Sequence, residues 1–201
     1  PLHIRNTLPL RFIAPVYSGF RHLGTHLNAI RALAYHTHLK FSRTENLEQV
    51  KSDFLTRDDP ADIFYFYTHG GRDEDLDEPY LEIGEGDRIH VLDLDAWGVE
   101  LDARHPLIVL NACESADYSP DDFESLLQFF CGAGAAGVIG TQCEVRELLA
   151  SEFMYRFFTA FLKQVPAGEA LFESRRVLLQ KYLDPRGLTY SLFAAAEVEL
   201  A

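Results

Sequence analysis

The sequence is poor in cysteine, in positive charge and in long apolar runs, and each shortage narrows what it can be. Three cysteines, Cys113, Cys131 and Cys143, are too few and too unevenly spaced for a disulfide framework or paired zinc ligands. A reducing, cytoplasmic setting is expected, with one thiol free to react. No apolar run approaches the roughly 20 residues that cross a bilayer, so no membrane role is expected. No basic-then-apolar leader is visible. The chain starts at Pro1, which fits a single domain over residues 1–201 cut from a longer protein, or trimmed. Only 18 basic residues face 31 acidic ones, a net charge of -13 that repels phosphate backbones and argues against direct nucleic-acid binding. There is no Gly-x-Ser-x-Gly elbow, no phosphate-binding loop, no internal repeat and no low-complexity tract. No metal and no cofactor are expected.

What is present is ordinary globular composition, with 47% hydrophobic and 24% charged residues, enough for a sizeable core. Short dense apolar runs stand at 10–17, 63–67, 107–110 and 136–139, with a shorter one at 39–41. Helical spacing appears at 22–35, 122–130, 147–164 and from Pro166 to about Tyr182. Thr44 is the expected N-cap of a helix carrying Leu47, Val50, Phe54 and Leu55. Residues 72–78 read as a charged loop, 80–83 and 88–92 as a hairpin around Gly84 and Gly86, and 188–200 as extended. Buried strands alternating with helices predict an α/β fold with a mostly parallel central sheet covered on both faces.

In such a sheet ligands bind beyond the carboxyl ends of the strands. Two buried strands run into reactive residues there: Tyr67-Thr68-His69-Gly70-Gly71 and Leu110-Asn111-Ala112-Cys113-Glu114-Ser115. If these strands are neighbours, His69 and Cys113 face one another. A histidine beside a thiol holds a thiolate–imidazolium pair and later protonates a leaving amine. Gly70 and Gly71 let backbone approach a substrate, and their amides with that of Cys113 are candidates for an oxyanion hole. A lone cysteine on a buried strand is also a common core residue.

These stretches, with 105–115, Phe130-Cys131-Gly132-Ala133-Gly134-Ala135-Ala136-Gly137-Val138-Ile139-Gly140-Thr141, Gly168-Glu169-Ala170-Leu171 and Ser174-Arg175-Arg176, resemble the CHAT domain. That is a caspase-like peptidase group in the clan of caspases, metacaspases and separase. The resemblance spans roughly the last two-thirds of the chain. It implies a caspase-like three-layer α/β/α sandwich and a cysteine endopeptidase. His69 would be general base and acid, Cys113 the nucleophile, and Gly70 and Cys113 the oxyanion-hole amides. The substrate would be a protein or peptide, with regulation by other domains or a partner protein, in settings such as bacterial defence or programmed cell death. Ser115-Ala116, and Cys143 where many relatives carry tryptophan, bear on pocket shape. Metacaspases, which cut after basic residues, often have Asp two residues before the nucleophile; here it is Asn111, a candidate pocket residue together with Arg72 and Asp117. The acidic set Asp73, Glu74, Asp75, Asp77 and Glu78 would attract a basic peptide, bind calcium, or simply be a solvated loop, and Arg72 beside it would read an acidic side chain. Asp121 and Asp122 suit either the pocket or a helix start. A silent pseudoprotease or docking module, and a cysteine-dependent acyltransferase, are the competing readings.

Gly132 to Gly137 matches the dinucleotide fingerprint by letter, but follows a helix and leads into a strand, the wrong order for nucleotide binding. His22 and His26, one helical turn apart, are expected at the surface or in a cap. Cys131 and Cys143 are expected to be structural.

Overall fold

The computed structural model describes residues 3–4, 9–34, 39–112, 120–141, 145–194 and 198–200. In chain order its elements are β1 (His3–Ile4), β2 (Leu10–Pro15), α1 (Leu23–Ala34), β3 (Leu39–Thr44), α2 (Leu47–Leu55) and β4 (Ile63–Asp73). Then come β5 (Glu78–Ile83), β6 (Asp87–His90), α3 (Val91–Ala96), β7 (Leu107–Ala112), α4 (Pro120–Gly132), β8 (Gly137–Thr141) and α5 (Glu147–Phe161). The chain closes with α6 (Ala167–Tyr182), a 3-10 turn (Pro185–Thr189), β9 (Tyr190–Phe193) and β10 (Glu199–Leu200).

The main sheet runs β3-β2-β4-β7-β8-β9, parallel throughout except that β9 returns antiparallel to β8. From β2 the chain steps outward to β3, then comes back to the other side of β2 with β4. That reversal opens the crevice of an open α/β sheet between the carboxyl ends of β2 and β4.

Strand periodicity divides the core. Ile63, Tyr65 and Tyr67 of β4 pack with Leu107 and Val109 of β7 under α1, α5 and α6, through Leu27, Ile30, Phe157, Phe158 and Leu178. Phe64 and Phe66 point the other way, with Ile108 and Leu110, against Val50 and Phe54 of α2, Leu94 of α3, and Leu126 and Phe130 of α4. A run apolar on both faces is what a sheet covered on both sides requires. The expected three-layer α/β/α arrangement is therefore the one observed.

Four local readings change. The N-cap of α2 is Asn46, whose side chain accepts from Gln49 N at 3.2 Å. Thr44 instead ends β3, and its hydroxyl donates to Asp53 at 3.2 Å. The charged loop begins later than expected, because β4 continues through Arg72 and Asp73 and pairs antiparallel with β5. The strand expected over 88–92 stops at His90, where Asp93 accepts from the His90 backbone N–H and starts α3. Pro166 is the N-cap of α6 rather than its first residue. The stretch 132–137 is the helix-to-strand connection expected, with Gly134 at φ +98°. Among the described residues, no helix is long and apolar enough to cross a membrane.

Candidate active site

The two strands named by the sequence are neighbours. β4 and β7 pair in parallel from Ile63↔Leu107 to Thr68↔Ala112. The next residue of β4 is His69, which is half-buried and already belongs to the β5 hairpin, opposite Glu82. The residue after Ala112 in the sequence is Cys113. It lies outside the described residues, as do Glu114, Ser115 and Asp117. Asp121 and Asp122 fall in the first turn of α4.

His69 is held by rings that the sequence reading did not single out. Tyr17 and Phe20 follow β2, and each ring centroid lies 4.6 Å from that of His69, tilted by 57° and 61°. The two rings are 5.4 Å apart, and Phe20 also meets Tyr67 at 4.7 Å. Gly19 makes this fold-back possible, since a Cβ there would come within 2.5 Å of the Tyr17 ring. The backbone beneath is tied across three strands. Tyr17 N donates to Tyr67 O at 3.0 Å, Gly84 N to Val16 O at 2.8 Å, and Ser18 N to Gly84 O at 2.6 Å. Gly84 has φ +59°, and a Cβ on it would run into the Glu45 carbonyl oxygen. A pair of aromatics flanking a glycine just past a strand end was the available signal. Its partner 49 residues away was not readable locally.

Below His69, on the same face of the sheet, sits a buried polar chain. His26 Nε2 meets Tyr65 Oη at 2.8 Å, Asn111 Nδ2 donates to Tyr65 Oη at 2.8 Å, and Tyr190 Oη donates to Asn111 Oδ1 at 2.5 Å. Asn111, expected to line the pocket, is only 1% exposed, and its amide bridges two tyrosines inside the protein. His26, expected at the surface or in a cap, is 4% exposed, and burial lowers its pKa from the ordinary 6.5 to about 4. It is therefore a neutral core histidine at physiological pH.

The glycines and Arg72 also have local work. Gly70 and Gly71 are both buried in β4. A Cβ on Gly71 would lie 2.6 Å from Tyr80 Oη, so the space left by its missing side chain is filled by a ring of the neighbouring strand. Arg72 donates from Nε to Asp77 Oδ1 at 2.9 Å and from a terminal nitrogen to Asp77 O at 2.8 Å, clamping a residue at φ 54°. Asp73 accepts from the Asp75 and Leu76 amides and pairs with Arg88 at 2.9 Å. The acidic stretch is thus the turn of a hairpin. Cys131, expected to be structural, is an exposed thiol on α4, raised above its ordinary pKa by partial desolvation. Cys143 lies outside the described residues.

Residues 16–190 match the model of the CHAT domain. The chain belongs to the CHAT domain family. A probable protease of Vitiosangium sp. (strain GDMCC 1.1324) is 32% identical over 209 residues, covering 100% of this chain and 26% of that protein. The chain thus spans about a quarter of the relative it matches. The fold matches the Drosophila initiator caspase Dronc with a TM-score of 0.57 at 10% identity, over 95% of this chain and 81% of that one. It also matches a chain of the Saccharomyces cerevisiae separase-securin complex with a TM-score of 0.60 at 12% identity, over 100% of this chain and 13% of that one. The resemblance read from the motifs holds at the level of family and caspase-like fold.

Proposed function

We propose that this CHAT domain is a cysteine endopeptidase in which His69 and Cys113 work as a pair on a protein or peptide substrate. The observation that carries the reading is the β4–β7 ladder. Its last described pair is Thr68↔Ala112, and His69 and Cys113 are the next residue of each strand in the sequence. The aromatic cradle of Tyr17 and Phe20 restrains the imidazole at that point. The relative named a probable protease supports the same reaction class.

The chemistry follows from those groups. His69 accepts the Cys113 proton, and the sulfur adds to the scissile carbonyl carbon. The carbonyl oxygen takes up the charge and is met by the Gly70 and Cys113 amides. The tetrahedral intermediate collapses as the C–N bond breaks, and His69 delivers its proton to the departing amine. Water, deprotonated by His69, then cleaves the thioester and regenerates the thiol. Control by the remainder of a longer protein is part of the proposal, since the relative is about four times the length matched here.

The test is labelling with peptidyl acyloxymethyl ketones, varying the P1 residue across Asp, Arg, Lys and Leu, read by intact mass. One adduct on Cys113, absent from Cys113→Ala and His69→Ala, is the expected result and names the P1 preference. The exposed Cys131 is the internal control, since its protonated thiol should stay unlabelled. Silence of Cys113 in the whole protein with its activator present would leave a pseudoprotease. Acyl transfer to an added amine in preference to water would make it a transferase.

A further inference from the structure

The buried chain under His69 joins the two strands that carry the proposed pair, within the last four described pairs of their ladder. Tyr65 stands on β4, four residues before His69, and Asn111 stands on β7, two residues before Cys113. Tyr190 reaches Asn111 from β9, although β8 lies between β7 and β9. Its ring is fixed by stacking on Phe153 of α5, with centroids 4.0 Å apart and planes within 8°. A single side-chain amide, 1% exposed, is therefore pulled from both sides by tyrosines that are themselves fully buried.

A leucine of similar volume would fill this space with no polar atoms to satisfy, so the amide brings a cost that packing alone does not require. What the amide adds is direction and distance. It accepts from one neighbour and donates to the other, which fixes the lateral spacing and twist of β4 against β7 near the end of the described ladder. Among the described residues the β4–β7 ladder ends at Thr68↔Ala112, and β4 goes on to pair with β5. Nucleophile and base must meet within a few tenths of an ångström, and a misplacement of about 1 Å costs roughly 100-fold in rate.

We infer that Tyr65, Asn111 and Tyr190 are positioning residues that set the geometry of His69 against Cys113, and that Asn111 acts from beneath the site rather than by reading the substrate. The inference rests on the His69–Cys113 reading above.

The test uses the whole protein on a Cys131→Ser background, with Tyr190→Phe, Asn111→Leu, Asn111→Asp and His69→Ala compared with the parent. Near-ultraviolet circular dichroism selects the assay temperature at which each is folded. Two assays are run: the rate of Cys113 alkylation by iodoacetamide, which needs no peptide, and steady-state kinetics giving kcat and KM on peptides varied at P1. The expected result for Tyr190→Phe and Asn111→Leu is kcat lowered about 10- to 100-fold, with KM within about twofold and the order of P1 preference unchanged. Alkylation of Cys113 should lose most of the acceleration that His69 gives. Full kcat in the folded variants would reduce the chain to a stabilising element and overturn the inference. So would a P1 preference moved toward Lys or Arg by Asn111→Asp, which would mean that Asn111 touches substrate. If Asn111→Leu does not fold, Tyr190→Phe decides, since it removes one oxygen only. Failure of the underlying reading shows separately, as Cys113 alkylation in the parent that His69→Ala does not slow.

Discussion

Replacing Gly84 with alanine should loosen the backbone around His69 more than its small size suggests, and Gly98 provides the control. Both glycines sit in the left-handed region, at φ +59° and +65°. Each alanine therefore meets the same backbone penalty, about 1–2 kcal/mol. A Cβ at Gly98 finds nothing within 4 Å, whereas one at Gly84 meets the Glu45 carbonyl oxygen, which is backbone and has no rotamer to yield. Relief means moving the segment that donates to Val16 O at 2.8 Å and accepts from Ser18 N at 2.6 Å. With the clash and these bonds included, Gly84→Ala is expected to cost about 3–5 kcal/mol. For a domain of this size that corresponds to a Tm lowered by about 6–20 °C, against about 2–8 °C for Gly98→Ala. Thermal and urea unfolding measure both. Tyr17 lies between the two perturbed bonds, so peptidase turnover in Gly84→Ala should also fall at a temperature where the protein is still folded, and Gly98→Ala should keep it. Equal destabilisation by the two substitutions would refute the close contact with Glu45.

Removing one wall of the aromatic cradle should act on turnover rather than on affinity: Tyr17→Ala is expected to lower kcat about 10- to 100-fold with little change in KM, and Tyr17→Phe to restore it, measured by steady-state kinetics. Loss of activity in Tyr17→Phe would shift the role from the ring to the hydroxyl. Stability should depend on pH through His26, whose pKa is 6.5 unperturbed and about 4 in the fold. Because the folded value is the lower one, the unfolded chain binds the extra proton first, and stability falls as pH drops from about 6.5 to 4. The total loss is roughly 3 kcal/mol, absent at pH 7 and complete below about pH 4. Urea titrations at pH 7, 6 and 5 should show this slope shrinking in His26→Gln, and an unchanged slope there would assign the effect elsewhere.

The strands were readable because they are dense and short. Phe64-Tyr65-Phe66-Tyr67 and Leu107-Ile108-Val109-Leu110 have apolar bulk on both faces, which in a chain of this length only a doubly covered sheet accommodates. The extension of β4 was not readable. His69-Gly70-Gly71-Arg72-Asp73 has neither bulk nor alternation, and it is a strand because β5 pairs with it. Thr44 and Asn46 are both accepted cap types, with Asn the better of the two. The choice was made by β3, which keeps Thr44 as its last residue. At the site, the sequence pointed to His69 through its position after a buried run, whereas Tyr17, Phe20 and Tyr190 reach their partners only through the folded sheet. Asn111 was singled out for its place two residues before Cys113, and nothing local says that two distant tyrosines enclose it.

β4 can be regarded as a beam. Over its first six residues it is clamped along its length by a neighbour in the main sheet, and over the remaining five it projects as one arm of a hairpin. A beam clamped along part of its length bends where the clamp ends, and among the described residues that is His69. The projecting arm is about 13 Å long from His69 to Asp73, and its tip carries the half-exposed Leu76 and the Arg72–Asp77 clasp. A push at the tip is thus delivered as a small rotation at the root, with the imidazole as the pointer. Substitutions in the turn should be judged first by how they change the aim of His69.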